Sequence, residues 1–205
     1  FCIRTSLCKS NQRMQDFLFP SPIEWTEYKG ALASTKPTIG FCGVPNNHIA
    51  RSSLLEYLFN SPLSSTNFIF RKRFWGALQK EFNPEQKQQL KKEFEQIIHQ
   101  NPFSVCSRGG GNYSVRFYET LRAGRIPVLL DSDMPLPFED EIDWNDIIIS
   151  KQSPEEVEST VLDWHANRDL IAIQKRCRQI WEEYLYLPNF MERLPQQLSK
   201  FLPST

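Results

Sequence analysis

Apolar positions along this chain fall into short blocks of two alternating kinds. Thr38-Ile39-Gly40-Phe41-Cys42-Gly43, Asn67-Phe68-Ile69-Phe70-Arg71, Phe103-Ser104-Val105-Cys106 and Ile126-Pro127-Val128-Leu129-Leu130-Asp131 are compact apolar runs of strand length, as expected of parallel strands buried on both faces. Between them, apolar residues recur three or four positions apart. Leu54, Leu55 and Leu58 do so within Arg51 to Phe59, and Leu90, Phe94, Ile97 and Ile98 do so after Asn83-Pro84, a cap residue followed by proline at the first helical position. Tyr113 to Gly124 reads as a third helix. Strand and helix in alternation predict an α/β class fold, a parallel sheet flanked by helices.

The flanks are organised differently. Asp146 to Ser150 suits a last strand, and Ser153-Pro154-Glu155-Glu156 is a helix start with a serine cap, proline first and an acidic first turn. Val157, Val161, Leu162, Ile171, Ile173, Ile180 and Trp181 predict one or two amphipathic helices running to Leu187, where Pro188 breaks them. Phe190 to Phe201 is a final helix with Phe190, Leu194, Leu198 and Phe201 on one face. Upstream, Phe1 to Leu7 opens like a strand, Lys9 to Gln15 is polar, Ile23 to Tyr28 suits a helical turn, and Gly30 to Thr35 is a small-residue linker. Residues 1–35 are thus expected to be a connector or a remnant of another domain, with the fold proper over 36–187 and a terminal helix over 188–205. A chain that opens on Phe1 rather than Met is expected to continue upstream.

Composition narrows the function classes. Among 205 residues, Lys+Arg and Asp+Glu both number 24, so no global field draws the protein to nucleic acid or a membrane surface, and attraction for an anion must be local. No apolar run approaches the ~20 residues of a transmembrane segment. Five cysteines, an odd number without a C-x-x-C pair and mostly set in apolar runs, read as buried free thiols. His48, His99 and His165 are scattered and read as non-catalytic.

The local chemistry concentrates between Phe103 and Trp144. After the strand at Phe103, Ser107 to Asn112 offers three successive glycines and Arg108, then Asn112 or Ser114 as a cap for the next helix. Glycines such as Gly109 and Gly110 let several backbone N–H groups converge on one anion, a helix N-terminus favours negative charge, and a guanidinium suits phosphate. Neither the Walker pattern nor G-x-G-x-x-G is present. Arg116 and Glu119, one turn apart behind the loop, have two readings: an intrahelical ion pair of about 0.2–0.5 kcal/mol, or Arg116 at a phosphate with Glu119 accepting ribose hydroxyls. Gly43 closes the first strand where a loop must pass close to a ligand or another backbone, and Arg71 ends the second strand, facing either an anion or solvent. Asp131-Ser132-Asp133 matches the D-x-D pattern of some metal-diphosphate sites. It is read here as a polar turn at the crevice mouth, with no metal. Asp143 reads as a turn or cap residue beside a buried aromatic.

Ser114-x-Arg116-x-x-Glu119-x-Leu121-x-Ala123-Gly124-x-Ile126-Pro127-Val128, then Leu136-Pro137-Phe138 and Ile142-Asp143-Trp144, resembles the C-terminal half of the exostosin-like glycosyltransferases of family 47. Cys106-x-Arg108-Gly109 fits the same pattern. Gly40-Phe41-Cys42-Gly43, Asn67-Phe68-Ile69-x-Arg71 and Arg4-Thr5-Ser6 fit it more loosely. The resemblance spans roughly residues 37 to 187.

That resemblance implies the Rossmann-like C-terminal domain of a GT-B glycosyltransferase, with a nucleoside-diphosphate sugar as donor, no metal cofactor, and a terminal helix that crosses back to an N-terminal domain. By it, Arg108, Gly109, Ser114, Arg116 and Glu119 belong to the donor site. The family inverts the anomeric carbon, so an acceptor hydroxyl on a glycan or polysaccharide attacks with help from a base on the N-terminal domain. Only about 35 residues precede the first strand here, so the missing N-terminal domain is an expected partner and the chain alone is expected not to catalyse transfer. The alternative is a non-catalytic α/β module that binds a nucleotide or a partner protein. In an isolated chain the apolar stripe of the last helix is expected to be exposed.

Overall fold

The computed structural model describes residues 26–73, 82–108, 111–130 and 133–200, and the backbone of residues 2–4 and 16–18. Two short strands, β1 (Cys2–Arg4) and β2 (Asp16–Leu18), form a parallel pair. The main domain follows as β3 (Thr38–Gly43), α1 (Ile49–Asn60), β4 (Ser65–Phe70), α2 (Pro84–Gln100), β5 (Phe103–Val105), α3 (Val115–Arg122), β6 (Ile126–Leu130), β7 (Ile149–Lys151), α4 (Pro154–Asn167), α5 (Leu170–Ile180) and α6 (Leu187–Ser199). The five strands from β3 onward make one parallel sheet in the order β4-β3-β5-β6-β7. The expected α/β, Rossmann-like architecture is therefore present. Its strand order reverses once, between β3 and β5.

Side-chain alternation on β3 shows how both sheet faces are covered. Ile39 and Phe41 join the large core cluster with Leu54 and Leu58 of α1, while Cys42 belongs to a smaller cluster with Phe94, Ile97 and Ile98 of α2. Gly40 sits so close under α2 that a Cβ there would meet Asn101 Nδ2 at 2.9 Å and Ile97 Cγ2 at 3.1 Å. Asn83 and Ser153 both form full capping boxes, with Gln86 and Glu156, satisfying the first N–H groups of α2 and α4.

Helix α3 ends in a Schellman motif: the Arg125 N–H reaches the Thr120 carbonyl and the Gly124 N–H reaches Leu121, with Gly124 at φ +62°. The segment read as a linker before β3 is tied to the domain. Gln174, fully buried, donates to the Leu32 carbonyl and accepts from the Leu32 N–H, and Arg125 donates to Gly30.

Four expectations change. Ile23 to Tyr28 forms no helical turn over its described part, residues 26–28, which is irregular. The second strand is Ser65–Phe70 and leaves Arg71 just beyond its end. The last strand does not begin at Asp146: Trp144–Asp146 is a 3₁₀ turn capped by Asp143, Ile147 and Ile148 are buried beyond it, and the strand runs Ile149–Lys151. The apolar stripe of α6 is not left exposed, because Phe190 is fully buried and Leu194 and Leu198 pack on the main core. A π turn at Trp181–Leu185 redirects the chain so that this stripe faces its own domain. Phe201 lies outside the described residues.

Replacing Gly124 with alanine should cost about 1–2 kcal/mol for the left-handed backbone, and its Cβ would meet Tyr28 Cε2 at 2.6 Å. At roughly 2–4 °C per kcal/mol for a chain of this size, the Gly124→Ala melting temperature should fall by several degrees. An unchanged value in calorimetry would contradict the cap assignment.

Candidate functional site

In sheets of this order, ligands bind beyond the carboxyl ends of the strands at the point where the order reverses. Here β3 and β5 pair only through Ile39 with Phe103 and Gly40 with Ser104. Three more residues of β3, up to Gly43, and the chain after Ser104 continue past that last pair. Two arginines serve the backbone carbonyls beyond it. Arg116, on the first turn of α3, donates from Nη2 to the Cys42 carbonyl. Arg51, on α1, donates from Nη2 to the Ser107 carbonyl at 2.6 Å and from Nη1 to the Val44 carbonyl at 3.1 Å.

Both guanidiniums lie against one aromatic ring. Arg116 stands 4.5 Å from the Phe41 centroid and Arg51 5.9 Å, so Phe41 joins two cations across the crevice floor. Gly43 is needed for this arrangement, since a Cβ there would lie 2.8 Å from Arg116 Nη2. Arg51 is 8% exposed, and burial followed by the neighbouring Arg116 lowers its pKa to about 10. Arg108, on the loop after β5, adds a third positive charge: with burial and Arg51, it pulls the His48 imidazole down. The Nε atoms of Arg51, Arg108 and Arg116 are all buried without a hydrogen-bond partner. Among the described residues, no ion pair joins any of the three to a carboxylate.

Glu119 is the acidic group of this neighbourhood. It is 7% exposed, and burial raises its pKa to about 7 against the opposing pull of Arg116. The intrahelical ion pair between Arg116 and Glu119 does not form, because Arg116 reaches across to β3 instead. A site with three guanidiniums and one carboxyl whose pKa is raised has net positive potential, which suits a polyanion such as a diphosphate.

The remaining expected residues separate. Gly43, Arg108, Arg116 and Glu119 lie at or beside the reversal point. Ser114 occupies the cap position of α3 but makes no side-chain capping bond. Arg71 is held by α2, donating to the Leu90 carbonyl and to Glu93 at 3.3 Å, which accounts for one of its amine groups. Gly109, Gly110, Asp131 and Ser132 lie outside the described residues. Asp133 is described, in a left-handed conformation at φ +50°, with its carbonyl accepting from Asn112 Nδ2. Among the described residues no cluster of three or more potential metal ligands occurs. A depression of about 500 Å³ along Leu136 to Asn145 is lined by Glu139, Asp140, Glu141 and Asp143, a sign of charge unsuited to phosphate. Arg51 was missed in the sequence, where it only marks the start of the helical segment Arg51 to Phe59.

The described thiols belong to the interior. Cys42, Cys106 and Cys177 are free and buried, and Cys106 is engaged by Thr120 and the Ser104 carbonyl with its pKa raised to about 11 by burial. No helix among the described residues is long and apolar enough to cross a membrane.

Residues 45–162 match the family model of the exostosin GT47 domain. Similar relatives include Exostosin-1b of Danio rerio, 31% identical over 96 residues, and Exostosin-1c of Danio rerio, 32% identical over 94. Exostosin-1 of Mus musculus is 29% identical over 96 residues. These stretches cover 45–46% of this chain and 13% of each relative.

The raised pKa of Glu119 carries a stability signature. The unfolded carboxyl ionises near 4.5 and the folded one near 7, so its contribution is full below about pH 4.5, declines as pH rises to 7, and is level above. Glu119→Gln is neutral throughout and abolishes that decline. In urea unfolding, the variant should gain on the wild type steadily between pH 4.5 and 7. A difference independent of pH would mean that Glu119 is ionised in the fold.

Proposed function

The chain belongs to the exostosin GT47 domain family, and from that premise we propose that it is the donor-binding half of an inverting glycosyltransferase. It would hold a nucleoside-diphosphate sugar for transfer to a glycan or polysaccharide acceptor. The observation that carries this reading is the group of guanidiniums at the β3–β5 reversal point, Arg51 buried, Arg108 and Arg116 with buried Nε atoms, and none of the three in an ion pair with a carboxylate among the described residues. Burying a cation unpaired is costly, and an anion that enters the crevice supplies what the protein withholds.

In this reading Arg108 and Arg116, with the N–H groups leading into α3, receive the diphosphate. As the bond to the sugar breaks, negative charge grows on the leaving phosphate, and these fixed cations stabilise it without reorganisation. The arginines take the place a divalent metal holds in other sugar transferases, so no metal is required. Glu119, one turn further along α3, accepts from the ribose hydroxyls. An acceptor hydroxyl attacking the opposite face of the sugar needs a base across the cleft from this loop. We assign that base to a separate N-terminal domain outside these 205 residues.

Titration of the chain with UDP and with inorganic pyrophosphate, chelator present, tests the donor reading. The wild type should bind both. Arg116→Ala should weaken both by about tenfold to a hundredfold, the cost of a hydrogen bond to a charged group, whereas Glu119→Ala should weaken UDP alone. Binding that requires manganese or magnesium would replace the arginine mechanism with a metal-bridged one. Sugar transfer needs a second measurement: residues 1–205 should release no UDP from a sugar nucleotide on adding a glycan acceptor, and a protein that includes the N-terminal domain should. Nucleotide binding without transfer in that longer protein would favour a non-catalytic module.

A further inference from the structure

Arg51 has no direct contact with the ligand in the donor reading, yet it is buried and bonded to both walls of the crevice. It comes from α1, a helix that leads away from the crevice, and its side chain turns back under the loop after β5. Its two terminal amines are both committed to backbone carbonyls, Val44 just beyond β3 and Ser107 just before Arg108. Its Nε is buried without a partner, and Arg116 is near enough to lower its pKa. Arg125 is likewise buried on backbone carbonyls without an ion pair among the described residues, so what distinguishes Arg51 is the carbonyl it holds, that of Ser107 next to Arg108.

The Ser107–Arg108 peptide gives this geometry a consequence. In a trans peptide the C=O and the following N–H point in opposite directions within one plane. Holding the Ser107 oxygen on Arg51 therefore fixes the direction of the Arg108 N–H at the start of the glycine loop. The same guanidinium ties that peptide to the opposite wall through Val44. Its planar fork spans two acceptors at once, which an ammonium group cannot do with the same geometry.

We infer that Arg51 is a positioning residue for the anion site: it sets the Ser107–Arg108 peptide, and with it the direction of the Arg108 N–H, without touching the ligand. This inference rests on the donor reading above. It predicts that charge at position 51 is insufficient and that the fork is required.

The test uses pyrophosphate and UDP titrations of the 205-residue chain carrying Arg51→Lys, with Leu58→Ala as a control. Leu58 is fully buried on the same helix, so its truncation destabilises the fold without reaching the loop. Arg51→Lys should weaken pyrophosphate and UDP by the same factor, about tenfold or more, and shift the amide resonance of Arg108 in the ¹⁵N–¹H spectrum. Leu58→Ala should lower the melting temperature at least as much and leave both affinities and that resonance in place. Full affinity in Arg51→Lys with a wild type that binds would overturn this inference and leave the donor reading standing. Equal affinity losses in the two variants would also overturn it, reducing Arg51 to a stabilising contact. A wild type that binds neither ligand would overturn both.

Discussion

Two guanidiniums share one phenyl ring at the place where the sheet reverses, and much of the local sequence exists to permit that. Arg116 and Arg51 flank Phe41, satisfy backbone carbonyls beyond the last β3–β5 pair, and form no ion pair with a carboxylate among the described residues. Carbonyl dipoles and the ring face compensate a buried cation only in part. Gly43 keeps the space open, and the pKa of Glu119 is raised because burial outweighs the attraction of Arg116. In the proposed reading, an incoming anion relieves this uncompensated positive charge.

The scaffold around the crevice is held from several directions. The Schellman end of α3 fixes that helix against β6, while Arg125 and Gln174 bind the segment before β3 to the domain. At the carboxyl edge, Asn112 ties the loop after β5 to Asp133 of the loop after β6. Further along that second loop, Trp144 Nε1 donates to the Pro137 carbonyl, and buried Phe138 is held at φ +54° with its ring against Tyr184 and Phe190. Bulky residues rarely adopt that backbone region, and such strain is maintained only where surrounding packing requires it. Helix α6, which carries Phe190, thereby braces the edge of the crevice as well as closing the core.

Element type and order were legible in the chain because compact apolar runs and three-to-four spacing report burial directly. The capping boxes of α2 and α4 and the capping turn at Asp143 were legible for the same reason, being interactions within four residues. Arg108, Arg116 and Glu119 could be picked out because they sit beside a glycine loop at helical spacing. The errors lie where a choice depends on distant partners: the start of β7, and the face of α6, whose stripe meets its own core after the π turn rather than another domain.

What the sequence determined by itself is the α/β alternation and a local cluster of anion-binding residue types, since both depend on near neighbours. Only the tertiary structure decided that Arg116 leaves Glu119 for the Cys42 carbonyl 74 positions away. It also brought Arg51 to Ser107 across 56 positions and turned Arg71 toward α2. The physical reason is that a long cationic side chain has many acceptors within reach of its own backbone position. Which one it takes is set by where the carbonyls beyond the sheet's reversal point go unserved, and that depends on strand order rather than on any local pattern.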